Sequence, residues 1–271
     1  MGVSKFVAAL SALTSCAGLA TAGIADFYIT DASGVIFTVD GQTLVATERF
    51  EVETSDLGMN DIIFVGDNKM LANVTGQLVQ YDMDTGEEVV VFDVRDVYPD
   101  GGFYLTGGLA RTQDDKIFFS TWGITPKSNS TFGALYDPIT QTYEELADFE
   151  ESLGYQIGHH HVGGDLFLTA DWAGEKIRVI NTMTGEFESV FDVGFGPVSF
   201  LETNGQLYTM TRDGFLYTFD FTTGESEYYG QISGAGGSII GMASSVAFRI
   251  PAPSSLAIFG FASLAVARRR R

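Results

Sequence analysis

A single cysteine among 271 residues excludes a disulfide framework, and six prolines are too few for a long proline-rich linker. The only three histidines stand in one run, which leaves little nitrogen for a transition-metal centre. Fifteen basic residues face 35 acidic ones, for a net charge of −20, so nucleic acid and anionic lipid are repelled rather than attracted. No long stretch repeats its apolar residues at helical spacing, which argues against a bundle. A G-x-S-x-G elbow, a phosphate loop, a dinucleotide fingerprint and a Cys/His ligand cluster are all missing. What the chain does have is 32 glycines, 22 phenylalanines and 11 tyrosines, a composition of strands and turns.

The two ends differ from the middle. At the C-terminus, Arg249-Ile250-Pro251-Ala252-Pro253-Ser254-Ser255 precedes an apolar run from Leu256 to Ala267, and Arg268, Arg269, Arg270 and Arg271 close the chain. The uncharged stretch Ser254 to Ala267 spans roughly 21 Å as a helix, against the roughly 30 Å of a bilayer core. It is a marginal span, suited to a temporary anchor. The four arginines resist translocation and would leave the body facing outward. The residues before Pro251 and Pro253 are held extended, the shape a protease cleft accepts.

At the N-terminus, Lys5 precedes the apolar stretch Phe6 to Leu13, and Ala20-Thr21-Ala22 supplies small exit residues. This is a secretory signal peptide with cleavage after Ala22, leaving Gly23 first. Leu13-Thr14-Ser15-Cys16 offers a rival reading, a lipoprotein box with Cys16 lipidated. The apolar character beyond Cys16 favours ordinary cleavage, which discards the only cysteine. Three regions follow: a signal peptide (1–22), a body (23–248) and a tail (249–271). All 35 acidic residues lie in the body, so loss of Lys5 and the four terminal arginines takes the net charge from −20 to −25.

The tail resembles the PEP-CTERM sorting signal. Pro251, Pro253, Ser254, Ser255 and Arg268 to Arg271 match it, whereas Ala252 stands where the family usually has Glu. The resemblance implies a signal peptidase and an exosortase-like membrane protease as processing partners, a transient membrane anchor, and export to the cell surface or matrix with exopolysaccharide. It covers only the tail and implies nothing about activity of the body.

The body repeats a short unit: an apolar strand, Asp or Asn, two residues, Thr, usually Gly, then another strand. Asp82 with Gly86, Asn181 with Gly185, and Asp220 with Gly224 carry it; Asp137 carries a weaker copy and Asp40-Gly41 a degenerate one. The acid or amide accepts from backbone N–H groups just ahead, and Gly supplies positive φ. Asp82 and Asp84 together also suggest oxygen ligands for Ca²⁺, but Asn181 and Asp220 have no second acid two residues on. Each unit fits four short strands in about 40 to 55 residues, the size of a propeller blade. An all-β propeller of about five blades is expected, or six if Phe103 to Phe149 hides extra strands; an open or two-sheet assembly is the alternative. Phe27 to Asp40 aligns with Leu207 to Asp220 at a constant offset, so the first blade lacks its innermost strand. Ser238 to Met242 is expected to supply it and close the ring. The repeats are similar to those of YncE-like and quinoprotein-like propellers, which implies fold and not activity.

Few residues invite chemistry. On a strand, His159 and His161 point one way and His160 the other, so one face could line the central channel as a weak two-His metal site. Trp122 and Trp172 follow corresponding strands and either flank one mouth of the ring or pack between blades. No catalytic residue and no cofactor is assigned, a divalent cation excepted as a weak option. The expected function is a non-catalytic binding or structural module, exported to the surface or matrix. A secreted lactonase- or lyase-like hydrolase with a metal in the central channel is the alternative.

Overall fold

The computed structural model describes residues 24–52, 58–66, 68–97, 104–123, 131–146 and 156–244. The signal-peptide residues, with Ala20, Ala22 and Gly23, and the whole tail from Arg249 lie outside them. The first blade holds β1 (Phe27–Asp31), β2 (Val35–Val39) and β3 (Ala46–Glu51). The second holds β4 (Met59–Gly66), β5 (Lys69–Val74), β6 (Gln77–Asp82) and β7 (Glu88–Asp93), followed by a single helical turn, α1 (Val94–Val97). The third holds β8 (Tyr104–Arg111), β9 (Ile117–Gly123), β10 (Thr131–Asp137) and β11 (Thr142–Glu145). The fourth holds β12 (Gln156–Gly163), β13 (Leu166–Asp171), β14 (Lys176–Asn181) and β15 (Phe187–Asp192). The fifth holds β16 (Pro197–Thr203), β17 (Gln206–Thr211), β18 (Phe215–Phe219) and β19 (Ser226–Gln231), and β20 (Ile239–Ser244) ends the described chain.

These strands form five four-stranded antiparallel sheets, and the first sheet runs β20-β1-β2-β3. The chain is therefore a five-bladed β-propeller. Among the described residues, the stretch from Phe103 to Phe149 contributes one blade. The last strand pairs with the first through Phe27↔Ser244, Tyr28↔Ala243 and Ile29↔Met242. It supplies the innermost position that the N-terminal blade lacks. The ring closes through successive packing of β20, β4, β8, β12 and β16.

Burial follows position in the blade. The second strands read as almost continuous apolar runs because a neighbouring blade covers each face: β13 is Leu-Phe-Leu-Thr-Ala-Asp, and all but its first residue are buried. The outermost strands face water, and β11 is exposed at every residue. Phe27, Phe118, Phe119, Phe167 and Phe219 are among the largest side chains fully sealed between blades. Each contributes roughly 1.5–3 kcal/mol by leaving water.

The repeated turn joins the third and fourth strands of every blade. In the second, Asp82 Oδ1 accepts from the Asp84 and Thr85 amides, both at 3.0 Å. Asp137, Asn181 and Asp220 accept in the same way from the residues two and three ahead. Asp40 does so in the degenerate copy, from Gln42 and Thr43. Four residues after each acid or amide the backbone turns to positive φ: 73° at Gly86, 74° at Gly185 and 77° at Gly224. Leu44 and Gln141, each at 56°, adopt it without the freedom of glycine.

Candidate functional site

Five inner strands around one axis leave little room, and sequence has adapted to that. One equivalent position on the inner strands holds Asp61, Gly108, Gly158, Ser199 and Gly241. A Cβ on Gly158 would stand 2.5 Å from the Ser199 Cα, and one on Gly108 2.4 Å from the His159 amide nitrogen. The strands therefore approach backbone to backbone, and only Asp61 and Ser199 project polar side chains at this level. Asp61, 2% exposed, sits inside the ring. Its Oδ2 accepts from the Leu109 amide at 2.8 Å, and its Oδ1 from the Ile62 amide at 3.0 Å and the Ser199 hydroxyl at 3.3 Å. The Ser199 oxygen in turn accepts from the Met242 amide at 3.0 Å. Burial pushes the Asp61 carboxyl well above the ordinary carboxylate range, against the pull of these hydrogen bonds. One carboxyl and one hydroxyl thus tie together the inner strands of four blades.

Beyond this waist, toward the C-terminal ends of the inner strands, the channel opens into a hollow of about 120 Å³. Each inner strand lines it with three consecutive residues, from Ile62–Phe64 round to Met242–Ser244. Two close contacts hold its polar side chains. Arg111 meets Asp115 at 3.0 Å, and His160 Nε2 lies 3.4 Å from Glu202 Oε2 across the fourth and fifth blades. A second hollow of about 400 Å³ shares His160, His161 and Glu202 and runs outward past Gln206 to Phe221, which is half-exposed.

The histidines divide as strand alternation requires. His159 is sealed against the third blade, with Nε2 2.7 Å from Ser120 Oγ and its ring 4.9 Å from that of Phe118. Burial lowers its pKa to about 3, with the Leu168 carbonyl opposing. His161 Nε2 lies 2.9 Å from the Gly164 carbonyl oxygen, and the ring packs on Phe167. The two buried rings are thus engaged between and within blades, and it is His160 that stands at the mouth. Among the described residues no group of three or more His, Cys, Asp or Glu is placed to hold an ion. Asp84 is engaged by the Asn68 amide at 3.1 Å, beside the turn that Asp82 closes. Trp172, half-buried, packs on Gly196 and carries the Arg212 guanidinium 3.9 Å above its ring. Trp122 lies on β9 opposite Leu105 and Thr131. The sorting residues Pro251 to Ser255 and Arg268 to Arg271 fall outside the described residues.

Sequence reasoning missed Asp61, Ser199, Arg111 and Glu202. The available signal was an acid inside the apolar run Met59–Gly66 and three glycines at the same depth in other inner strands.

The fold defines the class: a five-bladed β-propeller. No protein-family model and no curated protein matches the chain. Among solved structures it is similar to one described as the crystal structure of a nidogen/laminin complex, with a TM-score of 0.56 at 13% identity, covering 81% of this chain and 80% of that one. It is also similar to a protein of unknown function from Bacteroides caccae, with a TM-score of 0.50 at 10% identity, covering 75% and 72%. At such identities the likeness is one of fold.

Proposed function

We propose that this protein is an exported, non-catalytic binding propeller, sorted by its PEP-CTERM-like tail and held at the cell surface or in the extracellular matrix with exopolysaccharide. In this reading a signal peptidase removes residues 1–22. The tail anchors the precursor until an exosortase-like protease cuts near Pro251 to Ser255, and Arg268 to Arg271 stay on the cytoplasmic side. The binding reading rests on one observation, the state of the channel mouth. Arg111 is bound by Asp115, the Glu202 carboxyl faces the His160 ring, and the carboxyl whose pKa burial raises is locked inside the ring waist. Such a mouth offers a ligand shape and hydrogen bonds rather than a free acid or base.

The test is mass spectrometry of both termini of the protein recovered from its producing cell, with and without residues 249–271. A mature N-terminus at Gly23 and a cut near Pro251 are expected, and deletion of the tail should release the body into the medium. Intact ends on a cytosolic protein would overturn the sorting reading.

A further inference from the structure

The fifth blade carries an aromatic surface that the propeller does not need. The rings of Phe195, in the connection before β16, and Tyr217, on β18, stack with centroids 4.0 Å apart and planes 9° from parallel. Tyr228, on the outermost strand β19, stands edge-on to Tyr217 at 5.7 Å and tilts toward Phe215 at 6.4 Å. Its residue is 56% exposed.

The other blades act as internal controls. Tyr217 faces Tyr228 across the strand pair, where the other blades pair Phe37 with Glu48, Val79 with Val90, Ala134 with Glu145 and Arg178 with Val190. Blade geometry therefore tolerates charged or aliphatic groups at the outer position, and only the fifth blade presents a pair of tyrosines there. Phe195 and Tyr217 are half-buried and brace Tyr228, and an exposed aromatic that packing does not require marks a contact surface.

Its chemistry selects the partner. A sugar ring has an apolar C–H face and a rim of hydroxyls. Aromatic faces, which carry negative quadrupole charge, attract the C–H face. On the same face β19 adds Ser226 and Gln231, which can hydrogen-bond hydroxyls, and no aliphatic side chain, whereas Tyr229 packs on Tyr208 on the opposite face. The body around it is strongly acidic, so a uronate-bearing polymer is repelled. We propose that Tyr228, braced by the stacked pair Tyr217 and Phe195, forms a stacking surface for a neutral polysaccharide. This deepens the binding-module reading and rests on it: it names the class of matrix glycan and the blade that holds it.

The test is native electrophoresis of the purified full chain, in mild detergent, through gels containing mixed-linkage β-glucan, galactomannan or dextran, with alginate as the acidic counterpart. Retardation is expected in at least one neutral gel and not in alginate. Tyr228→Ala and Tyr217→Ala should each weaken it at least about fivefold, the effect of losing one aromatic contact. Tyr228→Phe and Val90→Ala should retain it, and an unchanged thermal midpoint for Tyr228→Ala would show that the fold survives. No retardation in any neutral gel, or retardation indifferent to Tyr228→Ala, overturns the proposal. So does sedimentation showing that Tyr228→Ala abolishes self-association and leaves glycan binding intact. Uncut termini with intact retardation would refute the sorting reading alone, whereas processed termini without retardation would refute the glycan surface alone.

Discussion

Asp61 and Ser199 meet inside the ring waist, 138 residues apart in sequence, with the serine hydroxyl donating to the carboxyl at 3.3 Å. The second and fifth blades are not neighbours in the ring; their inner strands are joined here through side chains alone.

Removing that carboxyl should destabilise the whole ring. Asp61→Ala leaves the buried Ile62 and Leu109 amides and the Ser199 hydroxyl short of an acceptor, at about 1–3 kcal/mol for each unsatisfied group. Asp61→Asn keeps one acceptor and should lose less. Because burial raises the folded-state pKa, the unfolded chain gives up this proton first as pH rises from the ordinary 3.8. The Asp61 contribution to stability is present at low pH and is lost as pH climbs toward the raised value. Urea unfolding across that range should show the decline in the wild type and its removal in Asp61→Asn; a parallel decline in both would refute it.

His159 sets an opposite dependence. The unfolded chain takes up a proton below about pH 6.5, while the folded imidazole resists it until about pH 3. Stability therefore falls as pH drops through that window, by up to ~5 kcal/mol if the shift is fully expressed. His159→Gln should flatten the acid limb of the unfolding profile, at the expense of about 1 kcal/mol at neutral pH from the weakened Ser120 contact. An unchanged acid limb would show that another group controls it.

The turn repeat permits a stabilising substitution. Gln141 holds φ of 56° where three other blades use glycine. Gln141→Gly should add up to about 1 kcal/mol, less the extra freedom glycine has in the unfolded chain. Gly224→Ala should do the reverse, because its Cβ would stand 2.5 Å from Phe191 Cδ1 at positive φ. Denaturation midpoints moving in the same direction for both would contradict this account of the turn.

The waist should tolerate no added atom. Gly158→Ala places a methyl 2.5 Å from the Ser199 Cα, in backbone that cannot yield, and should lower soluble yield or cost several kcal/mol. Gly236→Ala, with open space around it, should be close to neutral and serves as the control.

The strand-and-turn grammar was legible in the sequence. Asp82, Asn181 and Asp220 announce their turns because an Asx turn and a positive-φ residue depend only on the next few residues. The alignment of Phe27 to Asp40 with Leu207 to Asp220 also exposed the incomplete first blade, and β20 fills it. The candidate site was less legible. The His159-His160-His161 run drew attention by composition, yet His160 alone of the three is not buried, because strand alternation turns His159 against the third blade and His161 onto Phe167 of its own blade. Arg111 and Glu202 carried no local signature at all.

Local chemistry written into the chain thus determined the strands, the recurring hairpins, the acidic body and the distinct character of both ends. Tertiary structure alone decided that five strand ends converge on one axis. There, steric exclusion makes glycines of Gly108, Gly158 and Gly241, and a single acid from one blade can satisfy amides and a hydroxyl from others. Those contacts arise from closing a ring, and proximity across a ring has no counterpart in sequence distance.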